Sequence, residues 1–138
     1  MSIVQTQTTS FKKELYQAIH DLSTDTIKIA LYTGNANLNE DTTVYNATNE
    51  VVASGYTAGG EIMTGVAISS SGYVAYANWN NVSWTAALTA RCALIYNASK
   101  GNKSVAVLDF GSDKTSTTTF TITMPANTST TALIRSSN

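Results

Sequence analysis

The chain has one histidine, His20, with Asp21 beside it, and one cysteine, Cys92, inside the apolar run LTARCALIY (Leu88 to Tyr96). Nucleophilic catalysis through a thiol or hydroxyl needs a base within hydrogen-bond reach, and His20 is the one imidazole available for it. No G-x-S-x-G turn is present to expose a serine. A thiol in a densely apolar strand is inert filling, and a histidine near a helix C-terminus interacts favourably with the helix dipole. Both residues therefore read as structural, and no catalytic residue is assigned. A single His and a single Cys also leave no ligand set for a nitrogen–sulfur metal centre and no intrachain disulfide.

Oxygen ligands are more plentiful. The loop Asn35-Ala36-Asn37-Leu38-Asn39-Glu40-Asp41 alternates them as a calcium loop does, but Glu40 stands where the loop needs glycine and Asn46 where it needs a bidentate glutamate. Asn and Asp also build ordinary turns, so no metal and no cofactor are expected. Asp109, in VAVLDF beside Gly111, reads as a turn-anchoring carboxylate paired with Arg91 or Lys114. GYTAGG (Gly55 to Gly60) lacks the Gly-Lys-Ser/Thr ending of a phosphate loop and reads as a turn. The aromatic cluster AYANWNNVSW, with Tyr76, Trp79 and Trp84, suits a sugar- or base-stacking platform, a core or a subunit interface. Protein interaction is the assignment made for these three residues.

The elements that position these groups follow from periodicity. Residues 1–9 are polar and read as a flexible N-terminal arm; residues 10–138 read as a single β-rich domain. Phe11, Leu15, Ala18, Ile19 and Leu22 make one apolar stripe at helical spacing, predicting a helix over Ser10 to Leu22 capped by Ser10. That stripe either plugs one end of the core or docks on a partner through Phe11, Leu15 and Ile19, with the arm ordering alongside. Beyond it the period changes to two. Strands are expected over Thr26 to Thr33, around Glu50 to Val52, over Glu61 to Ile68, Tyr73 to Trp79, Leu88 to Tyr96, Val105 to Phe110, Thr118 to Met124 and Thr130 to Arg135. Ser69 to Gly72 is the expected hairpin connection. About eight short antiparallel strands after one helix predict a mainly β domain, a sandwich or barrel.

Composition narrows the function further. Asp, Glu, Lys and Arg make up 12% of the chain, and 22 Thr, 15 Ser and 12 Asn take their place. A formal net charge of −1 gives no basic footprint for nucleic acid. No apolar stretch approaches the length of a membrane span, and Met1 to Ser10 lacks the apolar core of a signal peptide.

DTIKIALYT (Asp25 to Thr33), TNEVVASGYTAGG (Thr48 to Gly60), LTARCALIYN (Leu88 to Asn97) and VAVLDFGSDKTS (Val105 to Ser116) occur in this order. Together they resemble a family of small virion proteins of tailed bacteriophages, over about Phe11 to Arg135. Size, low charge and the β-rich pattern are most similar to a capsid cement (decoration) protein. The resemblance implies a homotrimer bound outside the major capsid protein, made in the host cytoplasm and carried on the capsid surface. It implies no catalytic motif, so no enzyme. A tail or fibre module and a carbohydrate-binding β-sandwich module are the alternatives, the latter requiring Trp79 and Trp84 in an open groove.

Overall fold

The computed structural model describes residues 2–137; Met1 of the expected arm and Asn138 lie outside them. In chain order the elements are β1 (Thr6–Gln7), α1 (Thr9–Tyr16), β2 (Ile27–Tyr32), β3 (Glu61–Ile62), β4 (Ala67–Ser71), β5 (Val74–Asn78), β6 (Val82–Trp84), β7 (Thr89–Asn97), β8 (Lys103–Thr115), β9 (Phe120–Ile122) and β10 (Ile134–Ser136). All strand pairs are antiparallel. They form a five-stranded sheet in the order β1-β8-β7-β2-β3, a three-stranded sheet β10-β5-β4 and a two-stranded sheet β6-β9, none closed into a barrel. The fold is mainly β, a sandwich with one helix.

Alternation along the central strands explains the layering. Ile27, Ile29 and Leu31 of β2, with Ala93 and Ile95 of β7, face inward. They join Ala77, Trp84, Phe120, Ile122 and Ile134 from the two smaller sheets in one core. The intervening Ala30, Tyr32, Cys92, Leu94 and Tyr96 face the other way, where Ala36 and Leu38 of the long loop and Tyr45 cover them. Each fully buried Leu or Ile contributes roughly 1.5–3 kcal/mol by leaving water. β7 is thus covered on both faces, as a run that is apolar apart from Arg91 predicts.

Five expectations differ from the structure. The N-terminal residues are not a free arm: β1 pairs with Ala106 and Val107 of β8, the Val4 N–H donates to the Leu38 carbonyl, and the Leu38 N–H donates to the Ser2 carbonyl. Thr8 is fully buried, with its hydroxyl 2.9 Å from that of Ser104, and it is Thr8 rather than Ser10 that caps the helix, accepting from the Phe11 N–H. A polar arm can be held this way because its hydroxyls and amides find partners along the β8 edge.

The helix also ends six residues earlier than its apolar stripe. The Ile19 N–H reaches the Glu14 carbonyl and the Ala18 N–H reaches Leu15, closing a Schellman turn with Ala18 at φ 57°. The chain then doubles back and sets His20 5.0 Å from the Phe11 ring. Of the stripe, Phe11 enters the main core and Leu15 and Leu22 pack against it, while Ala18 is exposed at the turn.

Between Val44 and Ala53 there is no extended strand, only single bridges such as Tyr32 to Glu50. The β4–β5 hairpin turns at Gly72–Tyr73 rather than over Ser69 to Gly72, because Gly72 supplies the positive φ (60°) that a two-residue turn needs. Gly60 marks the tightest approach: a Cβ there would lie 1.8 Å from the Ile29 carbonyl oxygen, so the GYTAGG turn rests directly on β2.

Candidate association surface

Charge is distributed unevenly. No charged residue occurs between Glu61 and Arg91, or between Lys114 and Arg135. In the fold those two stretches supply β4, β5, β6 and β9, so apart from Arg135 on β10 the two smaller sheets are uncharged. Lysines, arginines and carboxylates are confined to α1, the five-stranded sheet, its loops and that one position. Out of this uncharged region projects the β4–β5 hairpin. Every residue of β4 is exposed, Ile68 at 55%, and Tyr73 at the tip is 91% exposed. The lack of charge and the exposed aromatic Tyr73 are features this surface shares with interface centres, where Lys, Glu and Asp are depleted and aromatics enriched. The signal was present in the sequence as the spacing between successive charges.

The residues assigned to protein interaction fall into two groups. Phe11 is fully buried and Leu15 packs half-buried against the main core, so these two plug one end of the sandwich. Trp79 and Trp84 are buried in that core as well, Trp84 with its ring 6.0 Å from Tyr56 and 6.2 Å from Phe120. They line neither an open groove nor a subunit surface; alternation in β6 turns Trp84 and Val82 inward and Ser83 outward. The Trp84 indole N–H has no partner among the described residues. Ile19 and Tyr76 are half-buried and keep a face toward solvent.

The polar groups capable of chemistry are engaged inside the subunit. Glu50 is buried, with both carboxylate oxygens taken. Oε1 accepts from Tyr45 at 2.5 Å, and Oε2 accepts from Tyr56 at 2.5 Å and from the Gly59 N–H at 2.8 Å. The Tyr96 hydroxyl donates to the Gly59 carbonyl at 2.6 Å, and burial pushes that phenol up to about 12. This cluster ties the GYTAGG turn to the long loop, which no spacing argument revealed.

His20 has its side chain fully buried between Glu14 and Asn97. The Asn97 amide donates to His20 Nδ1 at 2.9 Å and to Asp25 at 2.7 Å, while its oxygen accepts from the Ser99 N–H. Nδ1 is therefore an acceptor, and the imidazole proton sits on Nε2, 2.8 Å from Glu14. Burial works against the Asp25 charge, but hydrogen bonds from Asn97, Lys100 and the Asp21 N–H bring its carboxyl down to about 2.

Asp109 pairs with Arg91 and accepts from the Gly111 N–H at 2.8 Å, the turn-anchoring arrangement expected, with Arg91 rather than Lys114 as its cation. Those two contacts, the backbone one foremost, hold its carboxyl below the usual range. Burial pushes the Cys92 thiol up to about 12, which leaves it unreactive. In the asparagine loop, Asn37 accepts from Asn39 and Asn39 accepts from the Asp41 N–H, so these oxygens close turns.

Two open clefts flank the uncharged sheets. One of about 680 Å³ runs between Gln5 to Gln7, Leu108, Phe110 and the segment from Ile122 to Pro125, with Arg135 as its charged residue. Another of about 430 Å³ lies between Leu15, Leu22, Ile68, Ala77 and Ile134, with His20 and Asp21 at its margin. Neither gathers a nucleophile, a base and an oxyanion donor in one place. No protein-family model, curated protein or solved structure matches the chain.

Proposed function

We propose that this chain is a structural protein of a tailed-phage virion, of the capsid-cement kind, which binds the outside of the major capsid protein lattice and stabilises the head. Its work in this reading is association, not catalysis. The observation that supports it most is the segregation of charge. An uncharged, hydroxyl-rich end with an exposed hairpin stands on a rigid five-stranded sheet. A surface of that kind is suited to repeated burial against protein neighbours through backbone and hydroxyl hydrogen bonds. The sugar-binding alternative lacks support, because its two tryptophans are core residues.

The test is to mix the purified chain with undecorated heads. Saturable binding at a fixed ratio to the major capsid protein, with heads that then resist heating to a higher temperature, is the expected result. Heads that sediment without the chain at micromolar concentration would overturn the reading.

A further inference from the structure

Strand β4 is the outer edge of its sheet, and with five residues it is longer than any other edge strand of this fold, the uncharged β6 and β9 having three each. β1 and β3 are edge strands of two residues each, and β3 carries Glu61. β10, at the opposite edge of the same sheet, carries Arg135. β4 has five residues, Ala67-Ile68-Ser69-Ser70-Ser71, without charge, proline or bulge, and all five are exposed. An open edge of this kind is a template for pairing with another strand, and soluble proteins ordinarily block it with charge, proline or a bulge.

The register of the hairpin fixes which backbone groups are on offer. Ser71 and Val74 flank a two-residue turn and are its hydrogen-bonded closing pair. By the alternation of an antiparallel ladder, Ser69–Tyr76 and Ala67–Asn78 are also hydrogen-bonded pairs. The amides and carbonyls of Ile68 and Ser70 therefore point away from β5, and no strand lies on that side among the described residues.

These groups are self-complementary. In an antiparallel pairing centred on Ser69, Ile68 meets Ser70 of the second copy and Ser70 meets its Ile68, so both outward residues on each side are satisfied. Ser69 then faces Ser69 of the second copy across the axis. The two Ile68 side chains become diagonal neighbours on one face, close enough to cover each other. The result is one continuous sheet, β10-β5-β4 followed by the same three strands of the second copy in reverse.

We infer that β4 is a homotypic docking strand, and that two copies of this chain associate by antiparallel pairing of Ala67–Ser71 about an axis at Ser69. The backbone groups on offer match a second copy, and the charge distribution allows it to approach. A two-fold contact sets residues near its axis against their own kind, so any charge there meets its like. From Ile62 to Ala90 the chain carries none. The inference rests on the reading of the chain as an assembly protein, and it names how copies are linked to one another. Two-fold pairing gives a dimer, where the resemblance implies a trimer.

The decisive variant is Ser70→Pro. Its amide points outward, so proline removes a hydrogen bond of the pairing and none of the hairpin. Mass in solution at tens of micromolar is expected to be that of a dimer for the native chain and of a monomer for Ser70→Pro, with the melting of secondary structure retained. Ile68→Lys, at an exposed position, is the second variant should proline disturb the hairpin, and it is expected to give the same monomer. Ser69→Cys is expected to form a covalent dimer on mild oxidation, since facing residues of such a pair have Cα atoms about 4.5 Å apart. Ser112→Cys is expected to remain uncrosslinked, and Cys92 is too buried to compete.

A native chain that is monomeric at this concentration, or a trimer or other oligomer that neither Ser70→Pro nor Ile68→Lys alters, would overturn the inference. So would loss of head binding by Ser70→Pro from a native chain that is itself monomeric, because β4 would then be docking on the capsid protein. Head binding by the native chain, measured separately, reports on the cement reading whichever way the dimer experiment falls.

Discussion

Asn97 orients the His20 ring: its amide, fixed by Ser99 on one side and Asp25 on the other, donates to Nδ1 at 2.9 Å. Removing that amide leaves a buried imidazole nitrogen without its donor and takes one of three donors from the Asp25 carboxylate, which keeps Lys100 and the Asp21 N–H. Asn97→Ala is expected to lower unfolding free energy by about 3 kcal/mol, read from a denaturant titration. A loss below about 1 kcal/mol would show that the network adds nothing beyond packing.

The same cluster predicts an acid limb. Asp25 is lowered to about 2 in the fold from an ordinary value near 3.8. A carboxyl with a depressed folded value contributes stability that is complete above its unfolded pKa and is lost as pH falls through the folded one. The native chain is therefore expected to lose stability relative to Asp25→Asn between about pH 5 and 2, with the two melting curves converging at the acid end. Parallel curves over that range would contradict the assignment.

Ala18 occupies the left-handed turn position that ends α1, at φ 57°. Glycine reaches that region without the Cβ penalty. Ala18→Gly is expected to stabilise the chain by about 1 kcal/mol and to raise Tm by roughly 3 °C, measured by calorimetry. An unchanged or lowered Tm would mean that the turn is not formed as described.

Trp84 separates core from interface. As a core residue it should cost about 4 kcal/mol when cut to Ala. Trp84→Phe, which also removes an indole N–H that has no partner among the described residues, should cost much less. Neither variant that remains folded should change the oligomeric mass. A folded variant with altered mass would return Trp84 to the surface.

The period-two strands were legible wherever one face is buried. β2 and β9 fall within the expected segments, and β7 runs one residue past its own to Asn97, because Ile27, Ile29 and Leu31, the run around Cys92, and Phe120 with Ile122 alternate or cluster as their surroundings demand. The hairpin register was not legible, because β4 is exposed on both faces and nothing apolar pins it; Gly72 decides it instead. The extent of α1 misled because Leu22, beyond the Schellman turn, packs on the same core as Phe11 and Leu15 and so extends their apolar spacing past the helix end. Nor does the sequence indicate that Thr8 meets Ser104 or that Tyr45 and Tyr56 converge on Glu50, since these pairings depend on how distant strands align. The proposed association surface was half visible: the aromatics drew attention to Trp79 and Trp84, which are core, while the proposal rests on the absence of charge around them.

The central claim, that the chain is a head-surface component of a virion, is tested most directly by counting it in particles. Quantitative mass spectrometry of purified virions, with cryo-electron microscopy to place the density, gives its copy number relative to the major capsid protein. The account predicts many copies in a fixed ratio to that protein, on the outer face of the head. Absence of the chain from the particles, or a few copies confined to the tail, would contradict it.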